Sequence, residues 1–228
     1  SDCVHVEKGN STSLTSTASS SSSRTSATKT RSLQLIDTGI YLNTSDLWDD
    51  IAYIYYVGLV YNPNSEKVTF SPKLIATAKN KDGTILATDE QSCGVIMPGD
   101  TVPIMGSFSV LSSGLSDDSY VSYQIECNDF RNDSFIYSSA KTSDFETSHI
   151  SEYSGSRNYI TGEVTSHFSE DCTMLKIVAL LKKNGKIVGA ESTYMSTLNS
   201  NQTKVFEIES LSDFQNHDSL EIIVVPTL

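Results

Sequence analysis

After Arg31 the chain runs in short stretches rich in Val, Ile, Tyr, Thr and Phe, broken by Gly, Asn, Asp and Pro, and no 3.6-residue apolar stripe of helical length appears. β-branched and aromatic residues fit a pleated, half-buried surface, so punctuated runs of this kind predict strands and an all-β chain. Alternation is clearest from Tyr120 to Cys127, where Val121, Tyr123, Ile125 and Cys127 share one face and Ser122, Gln124 and Glu126 the other. Around Tyr56 both faces are apolar. Tyr53, Tyr55, Val57 and Leu59 lie on one side and Ile54, Tyr56, Gly58 and Val60 on the other, so at least one set faces a core.

The same order of features occurs twice, just over a hundred residues apart. The first copy has Tyr56-Val57-Gly58-Leu59-Val60, then Lys81-Asp82-Gly83-Thr84-Ile85-Leu86, Pro98-Gly99-Asp100-Thr101, and the strand ending at Cys127. The second has Tyr159-Ile160-Thr161-Gly162-Glu163-Val164, then Lys183-Asn184-Gly185-Lys186-Ile187-Val188, Ser200-Asn201-Gln202-Thr203, and Leu220 to Val225. Asp82-Gly83 and Asn184-Gly185 predict hairpins, because glycine accepts the positive φ of such turns and Asp or Asn tolerates it. Each copy also opens on a strand of its own, Leu33 to Leu42 and Phe145 to Tyr153. Two tandem immunoglobulin-like β-sandwich domains follow, at residues 32–138 and 139–228, each of about one hundred residues as that fold requires.

Residues 1–31 differ in kind. From Ser11 to Thr30 fifteen of twenty residues are Ser or Thr, with nothing periodic to bury. Such a segment reads as a flexible tether holding the folded part roughly 30 Å from its start. The chain carries a formal charge of −12, and the tether holds Lys8, Arg24, Lys29 and Arg31 against Asp2 and Glu7, so the folded part is strongly acidic. An acidic surface repels phosphate backbones and anionic lipid, which argues against nucleic acid and against a membrane contact through a basic face. No run approaches the about 20 apolar residues of a membrane helix. The leader of an exported chain is expected to have been removed, and Cys3, just before the Ser/Thr spacer, is the candidate for a lipid anchor.

The repeated order of Y-x-x-G-x-V/L, a long strand, an Asp/Asn-Gly hairpin, Gly or Asn before Thr, and a last alternating strand resembles the FxLYD domains of bacterial cell-surface proteins and lipoproteins. The resemblance spans nearly everything after Arg31. Where that family places Leu-Tyr-Asp, this chain has Ala78-Lys79-Asn80 and Leu180-Leu181-Lys182, so neighbouring sandwich families stay open. The resemblance implies an extracytoplasmic, secreted or lipid-anchored module at the cell surface, with no catalytic residues to carry over.

Candidate chemistry is sparse. There is no G-x-S-x-G elbow for a serine nucleophile, and His5, His149, His167 and His217 form no H-x-x-H or H-E-x-x-H pair. Cys3, Cys93, Cys127 and Cys172 show no C-x-x-C spacing, so zinc has no support and no cofactor is expected. Strand parity sends Cys127 and Cys172 into cores as free thiols, while pairing of Cys93 with Cys127 stays open. Carboxylates at Asp46, Asp49 and Asp50, at Asp117-Asp118, at Asp129 with Asp133, and at Glu170-Asp171 read as solvated turns, since none has the D-x-[DN]-x-[DN]-G calcium loop. In Asn43 to Asp50, Leu47 and the sole tryptophan, Trp48, stand beside Asp49, and this trio is the candidate contact for a partner. Trp48 also has a structural reading, as a plug folded back on its own sandwich, which the high average burial of large aromatics favours. The expectation is a non-enzymatic interaction or structural module with an unidentified protein or glycan partner; the alternative is a carbohydrate-binding module using the Trp48 region with Tyr53, Tyr55 and Tyr56.

Overall fold

The computed structural model describes residues 29–43, 50–132, 140–210, 214 and 216–227. Nine strands make the first copy of the repeat: β1 (Gln34–Asn43), β2 (Ile51–Tyr61), β3 (Lys67–Phe70), β4 (Lys73–Lys79), β5 (Ile85–Ser92), β6 (Val95–Ile96), β7 (Thr101–Leu111), β8 (Tyr120–Glu126) and β9 (Phe130–Asn132). Six make the second: β10 (Phe145–Ser154), β11 (Asn158–Ser166), β12 (Leu175–Lys183), β13 (Lys186–Met195), β14 (Thr203–Ser210) and β15 (Ser219–Pro226). The all-β class expected from the punctuated runs holds. The expected boundary at residues 138 and 139 lies outside the described residues.

In the first copy the antiparallel sheet β1-β2-β7 faces β5-β4-β8 across a core of Ile54, Tyr56, Val60, Leu74, Ala76, Ile104 and Phe108. The second sheet continues beyond a shared irregularity as β6-β3-β9. Pro72 interrupts the middle strand because it has no N–H to give the ladder. The chain answers at one level across all three strands: Ser71 donates its amide to the Gly94 carbonyl, Cys93 to that of Pro72, and Phe70 to that of Asp129. The second copy repeats the topology without that break, β10-β11-β14 facing β13-β12-β15 over Ile160, Val164, Ile177, Ala179, Leu181, Phe206 and Ile208.

The repeated motifs occupy equivalent places. Gly58 on β2 and Gly162 on β11 both face the core: a Cβ on Gly58 would meet Leu74 Cδ2 of the facing sheet at 2.6 Å, and one on Gly162 would meet Ile150 Cδ1 of the neighbouring strand β10 at 2.5 Å, so glycine makes room for a large core side chain at each. The turn at Asp82-Gly83 joins β4 to β5, and the turn at Asn184-Gly185 joins β12 to β13 with φ of 50° and 76°. Asp100 and Gln202, each just before the third strand of its first sheet, accept from Asn62 and Ser166 respectively, both at 3.0 Å.

The two sandwiches are themselves stacked. Val57 and Leu59, on the outer face of β1-β2-β7, meet Val178, Leu180, Ile187 and Ala190 of β13-β12-β15 in a third apolar core, with Tyr41 and Met105 at its margin. Four sheets thus form successive layers with apolar side chains between every pair. The consequence is plain in β12, where Ile177, Val178, Ala179 and Leu180 are all fully buried because both of its faces are covered. Val225 also enters the core of the first sandwich. Polar contacts lock the join: the Tyr41 hydroxyl donates to the Ala190 carbonyl at 2.6 Å, Thr142 donates its amide at 3.0 Å and its hydroxyl to the buried Asp100 carboxylate, and Lys141 Nζ donates to the Pro98 carbonyl at 2.8 Å.

Candidate functional site

Cys3 and the trio Leu47, Trp48 and Asp49 lie outside the described residues. The aromatic residues expected beside Trp48 are largely committed to packing. Tyr56 is 1% exposed and its hydroxyl donates to Asp89 Oδ2 at 2.9 Å, while Tyr55 stacks on Tyr41 with ring centroids 5.3 Å apart. Both faces of β2 are therefore used, one in the sandwich core and the other in the seam. Tyr123, its ring 6.1 Å from Tyr56, directs a buried hydroxyl into the same interior without a partner among the described residues.

The remaining candidates resolve residue by residue. Asp129 takes both Arg131 Nε at 2.8 Å and Nη2 at 2.6 Å within its own turn, and Asp171 accepts the Ser200 amide at 2.9 Å, tying its loop to the one before β14. Among the described residues no group of three or more His, Cys, Asp or Glu converges as metal ligands would. His149 pairs with Glu163, His167 with Glu146 and His217 with Glu152, three separate contacts on the second sandwich.

Cys93, Cys127 and Cys172 are free thiols. Cys172 lies in the second core, and Cys93 packs against the first. Cys93 and Cys127 sit on the two strands flanking Pro72, which puts about 9–10 Å of backbone between them, two strand spacings and more than the about 7 Å a disulfide spans. Burial pushes the Cys93 thiol up to about 12. Such a group is inert as a nucleophile near neutrality.

One surface gathers aromatic and hydrogen-bonding groups in the open. On the outer face of β10-β11-β14, Tyr153 is paired across the hairpin with Tyr159, their ring centroids 6.4 Å apart, and Tyr153 is 62% exposed. Arg157, in the connecting turn, donates to Glu209 Oε1 at 2.8 Å. Glu209 stands in register with Tyr159 and Glu207 with Thr161. This pair lies apart from the denser aromatic run near Trp48. Its signal was the symmetric spacing of two tyrosines about the turn Ser154-Gly155-Ser156-Arg157, which makes them cross-strand neighbours.

No family model matches the chain, and no curated protein matches it. Among solved structures it is similar to a calcium-binding mutant of Bacteroides uniformis beta-glucuronidase 2, at 11% identity over 86% of this chain and a TM-score of 0.23. It is also similar to a beta-glucuronidase from glycoside hydrolase family 2, at 11% identity over 81% of this chain and a TM-score of 0.20. The chain spans 28% and 21% of those two proteins, and likenesses at this level carry no argument about activity. What the strands themselves define is a class: an all-β protein of two stacked sandwiches. Among the described residues no helix is long and apolar enough to cross a membrane.

Proposed function

We propose that this chain is a non-catalytic, extracytoplasmic module, a binding or structural body of two rigidly stacked sandwiches presented on its Ser/Thr-rich N-terminal tether at the cell surface. The observation that carries this reading is the way the seam is used. Clefts for small ligands form preferentially between domains. Here that space is filled by Val57, Leu59, Val178, Leu180 and Ile187 and clamped by Asp100 and Thr142. A filled seam favours a stiff presenting surface over a hinged active site, and the resemblance to surface modules together with the tether supplies the location.

Two measurements test it. The purified protein is expected to be inert toward a panel of esterase, glycosidase and peptidase substrates, and turnover of any of them would overturn the non-catalytic part. In cells of the source, protease shaving should release the body of two stacked sandwiches while the envelope stays intact. Protection until lysis would overturn surface display, and intact-mass analysis of native material decides whether Cys3 carries lipid.

A further inference from the structure

We propose that the outer face of β10-β11-β14 is a binding site for a neutral glycan, whose sugar rings stack on Tyr153 and Tyr159. The proposal deepens the reading given above and rests on it only for the expectation that the glycan leaves unchanged.

Three features build the platform. First, Tyr153 is laid across the hairpin turn: a Cβ on Gly155 would meet its ring at Cε1 2.9 Å and Cζ 3.0 Å. Glycine there lets the ring rest against backbone on one side, which leaves its other side to solvent. Second, Tyr159 is half-buried on the middle strand, in register with Glu209, whose Oε1 accepts from Arg157 at 2.8 Å. The approach of Tyr153 to Gly155 and the half-burial of Tyr159 restrict both rings before a ligand arrives, which lowers the ordering entropy that opposes binding. Third, the rings are 6.4 Å apart at 34°, close enough to serve consecutive rings of one extended chain.

The occupant follows from the chemistry of that surface. A pyranose offers a flat face of polarised C–H bonds to the negative face of an aromatic ring, and its hydroxyls need acceptors at the rim. Glu207 and Glu209, both exposed on β14 in the rows of Thr161 and Tyr159, are such acceptors. The same carboxylates, with a chain charge of −12, repel uronic, sulfated and phosphate-bearing polymers. A peptide strand is disfavoured because its backbone needs a free sheet edge. These rings sit instead on a sheet face, with Tyr159 on the middle strand.

Affinity electrophoresis through gels containing xylan, mannan, mixed-linkage β-glucan or pullulan tests the site. At least one gel should retard the wild-type protein. Tyr153→Ala and Tyr159→Ala should each weaken retardation at least tenfold, and Tyr153→Phe should keep it. Retardation with none of the polymers, retardation that survives both alanine substitutions, or loss on Trp48→Ala alone would overturn the proposal. Should the alanine variants melt early, the wild-type ring resonances of Tyr153 and Tyr159 decide: they should shift on titration with an oligosaccharide of the retarding polymer, and unmoved signals would overturn it. New reducing ends appearing with retardation would support the site while removing the non-catalytic reading. Absent retardation removes the site and leaves that reading standing.

Discussion

Gly39 of β1 lies directly beneath Ile187 of β13, so close that a Cβ on the glycine would meet Ile187 Cγ2 at 2.5 Å and its Cβ at 2.7 Å. The two residues belong to different sandwiches, and the missing side chain is what lets the sheets approach. Gly39→Ala is therefore expected to wedge the seam and lower stability by about 1–3 kcal/mol, as overpacking does. Equilibrium denaturation measures it. In a double-mutant cycle, Ile187→Ala should relieve part of that loss, because the clash needs both side chains.

The filled seam also makes the two sandwiches one folding unit. Leu180, buried in the seam, and Ile177, buried in the second sandwich, should each cost about 2–5 kcal/mol on substitution by alanine. Calorimetry should show a single transition in which calorimetric and van't Hoff enthalpies agree, and both variants should move all of it. A separate melting step for either sandwich would contradict this.

Glu191 gives the stability a defined pH dependence. Burial holds its carboxyl above the ordinary carboxylate range, and the Ser210 hydroxyl donates to its Oε1 at 2.9 Å. Because the folded state raises this pKa, the group's favourable contribution is complete below the unfolded value of about 4.3 and is lost as pH climbs through the folded value. Glu191→Gln keeps the acceptor and removes the charge. It should raise the melting temperature at pH 7 and leave it nearly unchanged at pH 4, read by thermal scans across that window.

Two tyrosine hydroxyls in the first sandwich should behave oppositely. Tyr56 donates to the Asp89 carboxylate, so Tyr56→Phe should cost about 1.5–3 kcal/mol, the loss of a hydrogen bond to a charged group. Tyr123 buries a hydroxyl with no partner among the described residues, so Tyr123→Phe should be neutral or stabilising by about 1 kcal/mol. Urea unfolding of the two variants side by side distinguishes them.

Cys93 should be silent until the fold opens. In the native protein at neutral pH, Cys93 should resist alkylation, since burial favours its protonated form. In denaturant without reductant, Cys93, Cys127 and Cys172 should all take the label, as peptide mapping would show. A disulfide-linked peptide joining Cys93 to Cys127 would contradict the spacing across Pro72.

Local chemistry in the sequence was enough for much of this architecture. Period-two alternation marked the strands, Asp82-Gly83 and Asn184-Gly185 marked the turns that join them, and the recurrence of Gly58 as Gly162 marked equivalent positions in two sandwiches, because each of these signals acts over a few residues. The doubly apolar run about Tyr56 showed that one face was core but not what covered the other. Nor could the sequence show that Tyr55 and Tyr56 were already committed while Tyr153 stood in the open beside a half-buried Tyr159, since exposure depends on which layer lies opposite. That was settled by contacts such as Tyr41 with Ala190, 149 residues apart along the chain. The stacking of sheet on sheet is a match of two distant surfaces in shape and polarity, and no short-range pattern encodes it.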